Sequence, residues 1–283
     1  MAVSVEEDFH RALHACEQHP GDFIAKKSLL DMVAASQLHR PWEVVSEGYY
    51  CIFNYAAALG DRVWSLTEQV AISALELGDL SKAKTCVEML ARKFRRSIRV
   101  RKLLGLAHEA SGEQKEAMQG YEKILESNPV DMDVMKRKVV LAGLESNDEA
   151  IIGLNRYLGF YPLDLEAWVM LSELFVASND LHSAKFAMEE VIMLQPQNYA
   201  VYLRYAEILF ALDSKKLALL ARQCFAQAVE LHPTCLRALF GIITAAKNTS
   251  DGKKISDWAQ KRIKEIYSNC KNQNHMILLL SSD

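Results

Sequence analysis

Apolar positions in this chain fall into helix-sized segments, each apolar along one face and separated from the next by a short polar turn. "VEEDFHRALHACEQH", "DFIAKKSLLDMVAASQ" and "WEVVSEGYYCIFNYAAAL" read as three opening helices, and "ISDWAQKRIKEIYSNC" near the other end is amphipathic in the same way. The breaks "ALGD" (58–61), "LGDL" (77–80), "SGEQ" (111–114), "SNDE" (146–149) and "SNDL" (178–181) carry helix stops and caps. Gly and Asn tolerate the left-handed turn that ends a helix, while Asp and Ser accept from the first free N–H groups of the next. No period-two alternation bounded by hairpin turns competes, so the chain is expected to be all-α.

Proline adds a slower rhythm. Four of the six prolines precede near-identical helix openings: "PVDMDV" from Pro129, "PLDLEAW" from Pro162, "PQNYAVY" from Pro196 and "PTCLRAL" from Pro233. Their separations are 162−129 = 33, 196−162 = 34 and 233−196 = 37. Proline lacks an N–H and has a fixed φ, which suits the junction between two helices. A pitch near 34 marks a repeated helix pair.

With Pro196 at position 32 of such a repeat, Trp168, Leu171, Ser172, Phe175 and Ala184 fall at positions 4, 7, 8, 11 and 20. The repeat ending at Pro129 has Leu104 and Gly105 at 7 and 8, then Ala117, Tyr121 and Ile124 at 20, 24 and 27; that ending at Pro233 has Ala221, Phe225 and Ala228 there. Its first helix offers Tyr202, Tyr205 and Ala206 at 4, 7 and 8, and three extra residues lengthen the segment around "ALDSKK". This is the pattern of the tetratricopeptide repeat (TPR): small residues let two helices approach, and bulky ones fill the spaces between them. Counting back from Pro162 places Ala150 and Leu154 well but puts Arg137 and Lys138 at 7 and 8, so that repeat reads as degenerate. Residues 64–97 fit through Ala83, Val87 and Leu90, with Arg95 where proline would stand.

The expected fold is therefore a TPR-type α-solenoid of superhelical helix-pair repeats with helical caps at both ends. All of 1–283 is read as one domain: N-terminal helices and a degenerate repeat over 1–60, about five repeats over 64–235, and capping helices with a tail over 236–283. The alternative is an irregular helical bundle, which needs no fixed spacing.

Composition narrows the function classes. Half the residues are hydrophobic, 24% are charged and the net charge is −3, so no whole-chain field points to nucleic acid. The acidic start is unlike a signal peptide, and no apolar run reaches the ~18 residues of a membrane span. Six cysteines form no C-x-x-C pair; Cys16, Cys51 and Cys86 are spaced by 35, as are Cys235 and Cys270. They are read as small side chains at equivalent packing positions, reduced and not metal-binding. No glycine loop for phosphate and no nucleophile elbow occurs, and His10 and His14, four apart, lack the rest of a metal-ligand set. No catalytic residue, cofactor or metal is expected.

The densest charge is "RKFRRSIRVRK" at 92–102, seven basic residues and no acidic ones. Positions 2, 5, 6 and 9 of a TPR first helix line its binding face, which selects Arg99, Lys102 and Lys136 as a candidate basic patch for an acidic protein segment or anionic headgroups. A solvated helix face is the alternative. The chaperone-binding clamp is not matched: Lys102 fits it, while Leu106, Lys136, Glu166 and Met170 do not. "PQNYAVYLR" resembles the P-x-N-Y-x-x-W-x-x-R repeat of protein prenyltransferase α-subunits through Pro196, Asn198, Tyr199 and Arg204, with Tyr202 replacing Trp, but it occurs once. Five adjacent apolar residues, Met276 to Leu280, make Met276, Ile277 and Leu278 a candidate docking segment.

"ALGDRVWSLTEQVAISALELG" (58–78), "RVRKLLGLAHEASGEQKEAMQGYEKILESNP" (99–129), "EAWVMLSELF" (166–175), "CFAQAVELHPTCLRALFG" (224–241) and "WAQKRIKEIY" (258–267) occur in an order, and with unequal repeat spacings, that resemble the family of subunit 2 of the endoplasmic reticulum membrane protein complex. The resemblance runs from near 42 to 267; residues 1–41 and the tail have no secure counterpart. It implies a non-catalytic scaffold on the cytosolic face of the endoplasmic reticulum. Such a subunit organises others in an assembly that inserts tail-anchored and multipass segments, and it reaches the membrane only through partners. A general TPR adaptor is the second reading and a prenyltransferase α-like subunit the third.

Overall fold

The computed structural model describes residues 2–36, 38–212, 215–246 and 252–268. All regular structure among them is helical, in two compact units that meet after residue 138. The first contains α1 (Ala2–Gln18), α2 (Phe23–Ser36), α3 (Pro41–Asn54), the single turn α4 (Ala56–Leu59), α5 (Arg62–Glu76), α6 (Leu80–Lys93), α7 (Ile98–Ala110) and α8 (Gln114–Ser127). The boundary falls within α9 (Met132–Glu145). The second unit continues with α10 (Asn147–Phe160), α11 (Leu165–Ala177), α12 (Leu181–Leu194), α13 (Tyr199–Ala211), α14 (Lys215–Leu231), α15 (Leu236–Ala246) and α16 (Gly252–Ser268). The expected TPR-type helix pairs are present.

One turn recurs between pairs. Asn128 to Asp131, Tyr161 to Asp164, Gln195 to Asn198 and His232 to Cys235 each place proline second, and the fourth residue's N–H donates to the first residue's carbonyl at 3.0–3.3 Å. Proline's fixed φ suits that second position. Phe94 to Ser97 forms the same turn with Arg95 second, closed by Ser97 N to Phe94 O at 3.1 Å. Arg95 can adopt the required φ; proline only pre-sets it. Most of these turns then cap the next helix: Ser97, Asp131, Asp164 and Asn198 accept from Val100, Val134, Ala167 and Ala200 N–H groups. Within the pairs, left-handed residues reverse the chain, namely Gly78, Gly112 and the non-glycine Asn179 at φ 58°.

Helix B of each repeat repeats one buried triad at positions 20, 24 and 27. Ala83, Val87 and Leu90; Ala117, Tyr121 and Ile124; Ala150, Leu154 and Tyr157; Ala184, Met188 and Val191; and Ala221, Phe225 and Ala228 are all buried. Cys16, Cys51, Cys86, Cys224 and Cys235 are likewise buried as free thiols, as expected of packing positions.

The degenerate repeat is resolved by counting forward from Pro129. One residue, Ser146, separates α9 from α10, where three separate α7 from α8 and α11 from α12. The deletion therefore lies in the turn. Before it, Met135 takes position 4 and Val139 position 8; both are buried, and Val139 faces Gly153. Arg137 and Lys138 are surface residues on helix α9, paired with Glu109 at 3.1 Å and Glu122 at 2.8 Å. The three extra residues of the later repeat lengthen α14 to 17 residues, against 14 in α12.

Close approach in α7 and α8 rests on Gly105, where an added Cβ would fall 2.6 Å from Cζ of buried Tyr121. Gly120 on α8 has nothing within 4 Å of the same atom. The same substitution therefore has opposite signs at the two sites. Gly105→Ala is expected to destabilise by about 1–3 kcal/mol through overpacking, and Gly120→Ala to stabilise by about 0.5–1 kcal/mol through reduced chain entropy. Chemical denaturation of the two variants checks both signs; a Gly105→Ala protein as stable as the parent would show that Tyr121 moves aside freely.

Candidate functional site

The basic run contributes to a charged face on α5, α7 and α9, where Arg99 and Lys102 each meet an acid from a neighbouring repeat. Arg99 at position 2 pairs with Glu68 at position 5 of the preceding repeat. Lys102 at position 5 reaches Asp131 at 2.7 Å and Asp133, position 2 of the following repeat, at 2.9 Å. Glu109 accepts from Tyr121 Oη at 2.6 Å and from Arg137 Nη1 at 3.1 Å. Arg62 pairs with Asp31 across the same sort of interval. The spacing that defines the repeat brings these partners together, 31 residues apart for Arg99–Glu68 and Lys102–Asp133.

Lys102 shows how tightly one pair is held. Burial alone lowers the pKa of its ammonium, but the hydrogen bonds to Asp131 and Asp133 outweigh that and raise it above the ordinary lysine value. Asp131 is only 9% exposed, and its Oδ1 also accepts from Val134 N at 3.3 Å, so one carboxylate caps α9 and holds Lys102. Arg95 and Arg96 of the run stand exposed at the tip of the α6–α7 turn.

Two clefts open along this face. One, of about 530 Å³, is walled by Trp64 and Phe94, whose rings meet edge-on with centroids 5.6 Å apart; Lys93 lies 5.5 Å over the Trp64 ring. Glu68 and Arg99 line the same cleft. The second, of about 320 Å³, brings Lys102 and Lys136 together with Leu106, Tyr121, Asp133 and Arg137. The structure thus unites Lys102 and Lys136 in one cleft and places Arg99 in the other. Aromatic walls beside paired ions suit an extended segment with apolar side chains and charges of both signs better than a purely acidic one.

The remaining candidates separate. Arg204 on α13 lies 3.5 Å from Glu207, which also holds Arg237 Nε at 2.5 Å. Asn198 caps α13 and Tyr199 stacks on His232 with centroids 4.5 Å apart, so the prenyltransferase-like residues have structural duties here. Met276, Ile277 and Leu278 lie outside the described residues. His10 and His14 stand exposed on α1. Burial pushes the thiols of Cys51, Cys86 and Cys224 up to about 11, which keeps them protonated and unreactive at neutral pH. Sequence reasoning missed Trp64, Phe94 and the acids Glu68 and Asp133; reading positions 5 and 2 of consecutive repeats as pairs would have found the acids.

Residues 96–216 match the EMC2 TPR-like repeat domain family. ER membrane protein complex subunit 2-B of Xenopus laevis is 35% identical over 237 residues, 80% of this chain and 80% of that protein. ER membrane protein complex subunit 2 of Dictyostelium discoideum is 30% identical over 267 residues, 87% and 83% of the two chains. Among solved structures, the C-terminal part of a TPR repeat-containing protein from Cytophaga hutchinsonii superimposes with a TM-score of 0.60 at 15% identity, covering 96% of this chain and 98% of its own. That likeness concerns the fold alone.

The double duty of Asp131 gives a direct test. Asp131→Ala removes both cap and ion pair and is expected to cost about 1–2 kcal/mol. Asp131→Asn keeps the cap acceptor and loses the charge, so it is expected to cost well under half as much. Denaturation midpoints at low and high salt measure both; an Asn variant as damaging as the Ala variant would make the ion pair the dominant contribution.

Proposed function

Because this chain belongs to the family of ER membrane protein complex subunit 2, we propose that it is a non-catalytic scaffold subunit of such a complex. It sits on the cytosolic face of the endoplasmic reticulum and organises an assembly that inserts tail-anchored and multipass segments. The observation that carries the reading is identity sustained over four-fifths of both chains, because a shared TPR fold alone does not require it. Two features are consistent with a subunit that touches the membrane peripherally. No described helix is long and apolar enough to cross a membrane. The clefts around Trp64 and Lys102 have the mixed lining expected of surfaces that hold partner segments.

In this reading Arg99, Lys102 and Lys136 meet partner segments in those clefts, and Arg204 and the Met276–Leu278 segment are further contact candidates. The paired ions set register and specificity, and the aromatic walls supply affinity.

Native purification of the full chain with mass spectrometry tests this. Other subunits of a membrane-embedded complex are expected to co-purify, and the chain should leave the membrane fraction when those subunits are lost. An unrelated soluble assembly would identify a general TPR adaptor, and a prenyltransferase β-subunit would identify the third reading. Within the complex, Lys136→Glu with Trp64→Ala is expected to lower the yield of bound partners at least tenfold, corresponding to about 1.4 kcal/mol. Unchanged yield would place the contacts elsewhere.

A further inference from the structure

Helix α16 carries a second charged face, of different character. Its sequence "GKKISDWAQKRIKEIYS" holds five basic residues, Lys253, Lys254, Lys261, Arg262 and Lys264, against two acidic ones, Asp257 and Glu265. The helix is net positive in a chain of net charge −3. Ala259 and Ile263 are buried in the core of the second unit, with Ile255 and Ile266 packed beside them. Lys254, Trp258, Lys261, Lys264 and Glu265 follow one another at helical i+4, i+7, i+10 and i+11 spacing, so they share the outer face, with Arg262 at its edge. Trp258 is 52% exposed there. Arg262 pairs with Glu265 at 2.9 Å, whereas Lys253, Lys254, Lys261 and Lys264 make no ion pair among the described residues.

This differs from the α5–α7–α9 face in each respect that matters for recognition. There, Arg99 and Lys102 each have an acidic partner lining the same cleft. Here, four cations on a single helix make no ion pair among the described residues. They are lysines, compact charges on flexible stems, which suit a diffuse anionic surface better than directional pairing with individual carboxylates. An exposed tryptophan among lysines and an arginine is the combination found at headgroup depth, with the ring at the polar–apolar boundary and the long stems reaching phosphates.

We propose that the outer face of α16, built from Lys254, Trp258, Lys261 and Lys264, binds the anionic headgroup surface of a membrane directly. The contact goes beyond the scaffold reading, in which partners alone supply membrane association, and it stands on α16 whether or not that reading holds. Each cation near an anionic bilayer strengthens partition roughly fivefold, so the face acts as an orienting contact added to protein partners.

The test is flotation of the purified full chain with vesicles of phosphatidylcholine alone and of phosphatidylcholine containing phosphatidylserine. Binding is expected only to the anionic vesicles and should weaken as salt rises. Combining Lys254→Gln, Lys261→Gln and Lys264→Gln should lower the partition about 100-fold, while the same three lysines changed to Arg should retain it. Trp258→Ala should weaken binding without removing its salt dependence. All four positions are exposed, and an unchanged helical spectrum confirms that the variants fold. Equal partition into neutral vesicles, no binding to either kind, or a triple Gln variant that binds like the parent would each overturn the proposal. Absence of vesicle binding would leave an acidic protein as the partner of this face. Failure of the scaffold reading is scored separately, by co-purification.

Discussion

The structure depends on how closely two helices of a repeat can approach. Position 20 is alanine in five consecutive repeats, at Ala83, Ala117, Ala150, Ala184 and Ala221, and each is completely buried. Opposite it stands a small residue or a gap: Gly105 beneath the Tyr121 ring, or Ser172, whose hydroxyl donates to the Ala184 carbonyl at 3.2 Å. Close approach leaves room for one large side chain per layer, and a tyrosine there must find a partner for its phenol. Tyr121 donates to Glu109, Tyr157 to Asp164 and Tyr205 to Glu189, at 2.5–2.7 Å. Burial and the neighbouring carboxylate both raise the Tyr121 pKa, so it stays a donor at any physiological pH. Packing of the core thus fixes where carboxylates appear on the surface.

Those carboxylates then shape recognition. Glu109 takes Arg137 as well as Tyr121, and the cross-repeat pairs Arg99–Glu68 and Lys102–Asp133 continue the pattern. Exposed pairs of this kind contribute only about 0–1 kcal/mol each, far less than the buried triads, so they are poor candidates for holding the repeats together. Their effect is on potential. A run of seven basic residues that would present a strong positive field in isolation is partly offset by Glu68, Asp131 and Asp133, and a partner meets a mosaic instead. Mosaics reject wrongly charged partners, because each misplaced charge faces a like neighbour or loses a desolvated partner.

Much of the architecture was legible because proline and small residues act locally. Pro129, Pro162, Pro196 and Pro233 all occupy the same place in the same turn, and Arg95 holds that place without proline because the turn needs a φ that arginine can adopt. The third repeat was misread only through the direction of counting: Ser146 replaces a three-residue turn, and a frame taken from the proline beyond it shifts every earlier position by one. The candidate site was less legible. A scan for clustered like charges finds Arg99 and Lys102 but cannot see Glu68 or Asp133, whose relevance appears only when one repeat is laid on the next. Trp64 and Phe94 sit outside the consensus positions, so packing rules gave no reason to pair them. The Met276–Leu280 segment lies beyond the described residues.

A last contrast concerns what a terminal helix of a repeat array needs to be. Where it faces water it must be polar, and any mixture of polar residues meets that need. Interspersed signs would do so at least electrostatic cost, as the α5–α7–α9 face shows. Helix α16 instead gathers unpaired lysines of one sign and leaves a tryptophan half in water among them. Lys261 and Lys264, three residues apart, repel by a few tenths of a kcal/mol, and an exposed indole forgoes the burial its large apolar area would gain. Neither feature helps close a stack. Both become favourable once an anionic, partly apolar surface lies against the helix, so the departures from a plain solvated face are themselves the argument that the outer face of α16 is built to be covered.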